Sequence, residues 1–347
     1  MSNEKPNAAI PTEQLTAKDF SSNQDVKWCP GCGDYSILAQ MQRVSPLLGV
    51  KKEDFVWVSG IGCSSRFPYY MDTFGMHGIH GRAPSIASGV KIARPELAVW
   101  MATGDGDLLS IGGNHFIHTC RRNVGIKMVL FNNRIYGLTK GQYSPTSEQG
   151  KKTKSTPFGS VDYPFKPAMV ALGAGISFYA RTIDREAKHM QEMMQKASAH
   201  HGTTLIEVYQ NCNIFNDGAY AHLTDKETKA DHVLVLEDGQ PMIFGKNRDK
   251  GIKLDGDIPV VIDLNDGVHS INDVWVHKEE DSSPVRAFIL AEFIENPDLP
   301  VPIGCFRRHE KPTYEELVVD QINQVKEMKK VTSFDQLIGS GNVWTVE

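Results

Sequence analysis

Four stretches of the chain are near-continuous in apolar or β-branched residues: 55–58, 97–102, 126–131 and 203–209. Runs of that length, bounded by Gly and polar residues, read as strands buried on both faces of a parallel sheet. Segments of helical period alternate with them. Ile37, Leu38, Met41, Val44 and Leu48 fall on one helical face, with Asp34 placed to cap the helix and Pro46 near its end. Further helices are predicted over 85–93, 108–120, 167–173 and 184–200, and a short strand around 177–181. A polar loop rich in Lys, Ser and Thr runs from about 143 to 162, long enough to suggest a lid or a partner contact.

From about residue 224 the pattern changes. Gly, Asp and Lys become frequent and the apolar runs shorten to 233–236 and 259–262, before a helix around 314–328. The pattern divides the chain into an arm (1–25), an α/β domain of parallel sheet flanked by helices (26–223) and an irregular C-terminal extension (224–347). At 347 residues it is long enough for one large α/β domain or two smaller ones. Composition changes little: 40% hydrophobic and 23% charged residues are ordinary for a globular protein. A net charge of −5 gives no reason to expect nucleic acid or an anionic membrane as partner. No apolar run reaches the length of a membrane span and the N-terminus lacks a signal-peptide core, so a cytoplasmic protein is expected.

The chemistry gathers where the predicted strands end. The run 97–102 leads into Gly104-Asp105-Gly106-Asp107, and the run 126–131 ends in Asn132-Asn133. In open α/β sheets ligands bind at those carboxyl ends. Asp and Asn offer hard oxygen donors suited to Mg²⁺ bridging to phosphate, and glycines let the backbone approach a ligand. The alternative is a tight turn after one strand and an unrelated turn after the next. The strand 55–58 likewise runs into a Gly-rich loop carrying Gly62, Cys63 and Arg66. Of the six cysteines, Cys29 and Cys32 form a Cys-x-x-Cys knuckle, while Cys63 and Cys212 each follow a predicted strand and so belong at one sheet edge. Four thiolates there fit either zinc or one iron–sulfur cluster. A single Cys-x-x-Cys unit tilts the reading toward iron–sulfur. Cys120 and Cys305 read as packed cysteines.

Taken in order, Trp28-Cys29-Pro30-Gly31-Cys32-Gly33, Gly60-Ile61-Gly62-Cys63-Ser64-Ser65, His80-Gly81-Arg82-Ala83, Gly104-Asp105-Gly106-Asp107, Asn133 with the run from Tyr136 to Gln142, and Cys212 resemble the β subunits of 2-oxoacid:ferredoxin oxidoreductases. The resemblance covers about residues 25–217, and the tail near 239–245 is similar to that of the enzymes acting on 2-oxoglutarate. It implies the thiamine diphosphate (TPP) fold. It also implies oxidative decarboxylation of a 2-oxoacid with transfer to coenzyme A and one-electron reduction of ferredoxin, reversible toward CO₂ fixation.

By the same resemblance, Asp105, Asn133 and the Ile135 carbonyl hold Mg²⁺ and through it TPP. Gly62, Gly104, Gly106, Asp107, Tyr136, Gly137, Leu138 and Thr139 line the cofactor, and Cys29, Cys32, Cys63 and Cys212 hold one 4Fe–4S cluster. Asp107 has a second job open to it, as a helix cap, and Leu138 could equally fill the core. Arg66 and Lys140 are the candidates for substrate carboxylates, with diphosphate or surface contact as the alternative. His80 is placed for a TPP contact or a structural hydrogen bond. No residue here matches the Glu that TPP needs against its aminopyrimidine ring. The family takes it from an α subunit, so an α/β active site and a dimer of αβ heterodimers are expected. Arg66 favours 2-oxoglutarate over pyruvate, branched-chain or aryl 2-oxoacids. A non-catalytic, zinc-stabilised assembly module is the reading of another class.

Overall fold

The computed structural model describes residues 15–329 and 333–346. Most of the expected arm therefore lies outside the described residues. Its last part carries a short helical turn, Ala17–Phe20, that buries Phe20.

The apolar runs become strands β1 (Phe55–Ser59), β2 (Phe74–His77), β3 (Ala98–Gly104), β4 (Lys127–Asn132), β5 (Phe178–Ile183) and β6 (Thr204–Tyr209). They pair in parallel, in the order β2-β1-β3-β4-β6-β5. Successive side chains point to opposite faces, and both faces are covered. Trp57, Trp100, Val129, Ile206 and Ala180 pack in one core, together with the helix Asp34–Val44 and the helix Ala187–Ala199. Val58, Met101, Met128, Leu205 and Tyr179 pack in the other, with the helices Ala83–Ala93 and Pro167–Gly173. Burial on both sides is why these strands are apolar throughout instead of alternating.

The tail is more ordered than its short apolar runs suggest. It supplies β7 (Val233–Val235), β8 (Ile243–Phe244), the hairpin of β9 (Lys250–Asp255) and β10 (Ile258–Asp263), and β11 (Val301–Arg308). β11 lies antiparallel to β5, and β7 pairs with β11, so the main sheet has eight strands and crosses the expected division at 223/224. Pro302 and Gly304 break up the apolar pattern of β11, which hides it in the sequence. Gly304 takes a positive φ of 122° where its missing Cβ lets the Leu236 backbone approach, and a register shift follows at Cys305/Arg307.

Two local expectations are corrected. Asp34 does not cap its helix. Gly33 is the capping residue, and Asp34 is the first helical residue, buried to 1% exposure. The helix expected over 108–120 is two helices, Asp105–Leu109 and Gly113–Arg122, interrupted at Ser110. The break brings Gly112 against Gly81, closely enough that a Cβ on Gly81 would sit 2.5 Å from the Gly112 nitrogen. A continuous helix could not make that approach.

A charged pair is locked inside the sheet. Arg181 on β5 and Glu207 on β6 are register partners, both fully buried and 2.7 Å apart. Glu207 also accepts hydrogen bonds from Tyr179 and from Asn132 Nδ2. This occupies Asn132, the first residue of the Asn pair, and leaves Asn133 as the one turned toward the site.

Candidate active site

β1, β3, β4 and β6 end at the same sheet edge, and their loops meet there. A cavity of about 120 Å³ is lined by Gly62, Cys63, His80, Gly104, Asp105, Gly106, Asp107, Asn133, Ile135, Tyr136, Gly137, Leu138 and Thr139, with Asp34 at its wall. Thirteen residues singled out from sequence thus share one cavity, while Arg66 and Lys140 do not line it. Arg66 sits in the turn Ser64–Arg66 behind Cys63, and Lys140 is exposed at a positive φ of 75°. Among the described residues no glutamate lines the cavity.

Asp105 is 2% exposed, and burial is the main force holding its carboxyl above the usual range. One oxygen accepts from Ser144 Oγ at 2.5 Å and from Thr146 Oγ1. Thr146 also donates to Asn132 Oδ1 at 2.9 Å, so the polar loop after residue 143 folds back over the strand ends. A buried carboxylate held by neutral hydroxyl and backbone donors stays short of charge compensation, which suits it to a cation. Opposite, Asn133 Oδ1 accepts from the Ile135 amide at 3.1 Å, closing a tight turn in which Arg134 adopts φ 54°. The Arg134 guanidinium lies 4.9 Å from the Tyr220 ring centroid, and its carbonyl accepts from Ser147 Oγ at 2.6 Å. The donor set of carboxylate, amide oxygen and peptide carbonyl fits a hard divalent ion.

Asp107 lines the cavity and is not a cap. Gly104 is the helix cap, and Asp107 binds three neighbouring elements. Its Oδ1 accepts from the Ile61 amide at 3.0 Å, the Gly81 amide at 2.7 Å and His80 Nδ1 at 2.6 Å. Its Oδ2 accepts from Thr103 Oγ1 at 3.0 Å. Gly60 has no side chain because a Cβ there would stand 1.9 Å from that carboxylate. His80 is therefore held by a structural hydrogen bond while still lining the cavity. Leu138 is 44% exposed at the cavity mouth and does not fill the core.

The knuckle folds over this edge. Trp28 Nε1 donates to the Cys63 carbonyl at 2.7 Å, the Gly33 amide to the Asn211 carbonyl at 3.1 Å, and Asn213 Nδ2 to the Pro30 carbonyl at 2.6 Å. Gln210 Nε2 lies 3.3 Å from Cys32 Sγ. The four cysteines are brought near one another: Cys32 feels Cys212 and Cys63, and Cys63 feels Cys212 and Cys29. Burial raises the thiol of Cys32, and raises that of Cys63 to about 12, with buried Asp34 adding to both. Thiolates so disfavoured need a cationic partner.

Among the described residues no three His, Cys, Asp or Glu side chains close on a point that could hold a metal ion. The sulfurs of Cys63 and Cys212 both lie close to Gly137. A Cβ on Gly137 would lie 3.5 Å from Cys63 Sγ and 3.6 Å from Cys212 Sγ, so the missing side chain keeps open the space between them. Cys120 and Cys305 are buried in the two cores, as packed cysteines. Ser144, Thr146, Asn216 and the burial of Asp34 escaped the sequence, since their site contacts depend on loop paths.

A family model described as thiamine pyrophosphate enzyme, C-terminal TPP binding domain, matches residues 57–208. The chain is 44% identical to the 2-oxoglutarate oxidoreductase subunit KorB of Mycobacterium tuberculosis, over 98% of this chain and 92% of that one. It is 40% identical to the 2-oxoglutarate synthase subunit KorB of Archaeoglobus fulgidus, over 63% of this chain and 82% of that one. Its fold is similar to a solved 2-oxoglutarate:ferredoxin oxidoreductase from Magnetococcus marinus with 2-oxoglutarate, coenzyme A and succinyl-CoA bound. The TM-score is 0.73 at 30% identity, covering 95% of this chain and 97% of that one. Among the described residues no helix is long and apolar enough to cross a membrane.

Proposed function

The chain belongs to the β subunits of the 2-oxoacid:ferredoxin oxidoreductases, and we propose that it is the cofactor-holding half of one that acts on 2-oxoglutarate. The reaction converts 2-oxoglutarate and coenzyme A to succinyl-CoA and CO₂, and its two electrons pass singly to two ferredoxins. The observation that carries this reading is the shared wall at Cys63 and Gly137. The acidic cavity for a diphosphate-bound cofactor and the space between the cysteine sulfurs meet there.

Asp105, Asn133 Oδ1 and the Ile135 carbonyl would hold Mg²⁺, and Mg²⁺ the diphosphate of TPP. Cys29, Cys32, Cys63 and Cys212 would hold one 4Fe–4S cluster. Bound there, TPP supplies the carbanion chemistry and the cluster a one-electron acceptor. The chain's own contribution is position. Asp107 fixes the Cys63-bearing loop and His80 against β3. Ser144 and Thr146 close the loop over Asp105 and keep it from water. A lone Cys-x-x-Cys unit joined by two cysteines from separate strand ends supports a cluster over a structural zinc site, which usually pairs two such units.

The aminopyrimidine Glu comes from the α subunit. The active form is then a dimer of αβ heterodimers. Arg66, in the turn after Cys63, and Lys140, on the loop after β4, are the candidates for a second substrate carboxylate.

The test is turnover of the αβ complex, measured anaerobically with ferredoxin, coenzyme A and either 2-oxoglutarate or pyruvate. The reading expects a brown, iron-containing complex that prefers 2-oxoglutarate, and a β chain that is inactive alone. Faster turnover of pyruvate would overturn the substrate, and a colourless zinc protein the cluster.

A further inference from the structure

The turn that offers Asn133 and Ile135 is gripped by the turn that offers Cys212. β6 runs out into residues 210–216, where the Asn216 amide donates to the Cys212 carbonyl at 2.9 Å and closes a narrow loop. The Asn216 side chain is almost wholly buried, at 6% exposure. Its Nδ2 donates to the Asn133 carbonyl at 2.8 Å and reaches the Arg134 carbonyl at 3.4 Å. Its Oδ1 accepts from Lys151 Nζ at 2.6 Å. Two donors face the carbonyls of one loop and one acceptor faces the lysine of another, an arrangement only a side-chain amide provides.

The gripped segment is one that resists its own conformation. Arg134 stands at φ 54°, in the left-handed region that a non-glycine residue adopts only at a cost. The residues on either side of it carry the metal donors, so the direction of both depends on this bend. Three residues downstream, Gly137 lies between the sulfurs of Cys63 and Cys212. The segment 133–137 is thus held at its start by the side chain of Asn216 and bordered at its end by the sulfur of Cys212. Both holds come from the same short loop after β6.

Resting on the cofactor assignment above, we infer that Asn216 is a positioning residue that couples the cysteine site to the metal site. A filled cysteine site fixes the loop after β6, and Asn216 carries that order into the bend at Arg134. The coupling is reciprocal by thermodynamic necessity: what steadies the metal-ligand turn also steadies the loop bearing Cys212.

The experiment uses the αβ complex carrying its iron, as wild type, Asn216→Ala and Asn216→Asp. Aspartate is isosteric and keeps an acceptor for Lys151, but it sets a carboxylate oxygen against two carbonyls. Two quantities are read: the affinity for Mg²⁺–TPP by calorimetry, and the anaerobic rate of iron release to a chelator with and without saturating Mg²⁺–TPP. Both variants should bind Mg²⁺–TPP about 10–100-fold more weakly, the range for a lost partner of a metal ligand. In wild type Mg²⁺–TPP should slow iron release; in the variants, saturated at higher concentration, it should not. Wild-type affinity in Asn216→Asp, or equal protection of iron in variant and wild type, overturns the coupling. A wild-type complex that holds no iron or binds no TPP overturns the cofactor assignment, and the coupling falls with it.

Discussion

Replacing Asp107 with alanine removes the acceptor that joins three loops of the site. Four donors lose their partner: the amides of Ile61 and Gly81, His80 Nδ1 and Thr103 Oγ1. The two side-chain donors can turn toward water or another carbonyl; the two peptide groups cannot. A buried donor left unpaired costs about 1–3 kcal/mol. The Gly81 amide is in a buried contact and takes the upper part of that range, while the Ile61 amide is half-buried and takes the lower. Asp107→Ala should therefore lose about 3–5 kcal/mol, a large part of the ~5–15 kcal/mol that holds a typical domain folded. Asp107→Asn keeps an oxygen at the Oδ1 position and should lose about 1 kcal/mol, the difference between a charged and a neutral acceptor. Denaturant unfolding of the complex reads both values. Hydrogen exchange at the amides of Ile61 and Gly81 reads the cause, with faster exchange expected in the alanine variant alone. Equal midpoints for alanine and asparagine, with Ile61 and Gly81 still protected, would refute the account of Asp107 as the tie between these loops.

Asp105→Ala should abolish Mg²⁺-dependent TPP binding, measured by calorimetry, with the cluster absorbance retained; undiminished binding would remove Asp105 from the metal site. Gly137→Ala adds a methyl at ordinary contact distance from Cys63 Sγ and Cys212 Sγ, so the chain should fold with iron content reduced. Full iron occupancy would show that the cluster does not use that space. Lys127, its amine hydrogen-bonded to the His200 and Gly202 carbonyls, is held down to about 7 mainly by burial and then by nearby Lys91. The unfolded chain keeps that proton up to about pH 10.5 while the folded chain gives it up from about 7, so this group makes stability rise with pH between those values. Its unfavourable share is complete below pH 7 and gone above about 10.5. Unfolding midpoints at pH 7 and 9.5 should separate in wild type by more than in Lys127→Met, and parallel shifts would count against a displaced proton.

The sheet edge and the residues gathered at it were legible because strands buried on both faces leave a plain mark, and the residues that follow them must lie at the strand ends. That reasoning reaches Asp105, Asn133, Cys63 and Cys212 without any knowledge of the loops. It fails where the partner arrives from far along the chain. Nothing around Ser144 or Thr146 signals that they return to Asp105, because a polar loop has no periodicity to constrain its path. Asp107 was misread for a related reason: an Asp at a helix start suggests a cap, but here the neighbouring loops offer better donors than the helix does. Asp34 was misread the same way, at a helix start that is deeply buried. β11 was missed because Pro302 and Gly304 interrupt it, and what makes it a strand is its neighbour β5 rather than its own pattern.

The cysteine site also sets a timetable for the chain. Cys29 and Cys32 leave the ribosome early, and Cys212 follows 183 residues later, on a loop that needs β6 in place. At synthesis rates of about 5–20 residues per second that interval is roughly 10–40 s. The first two thiols wait through it as a dithiol, and the proposed iron centre could not be completed until more than half of the chain had been made. An oxidant acting in that window would meet Cys29 and Cys32 before their remaining partners exist, so damage to this subunit should fall most heavily on newly made chains.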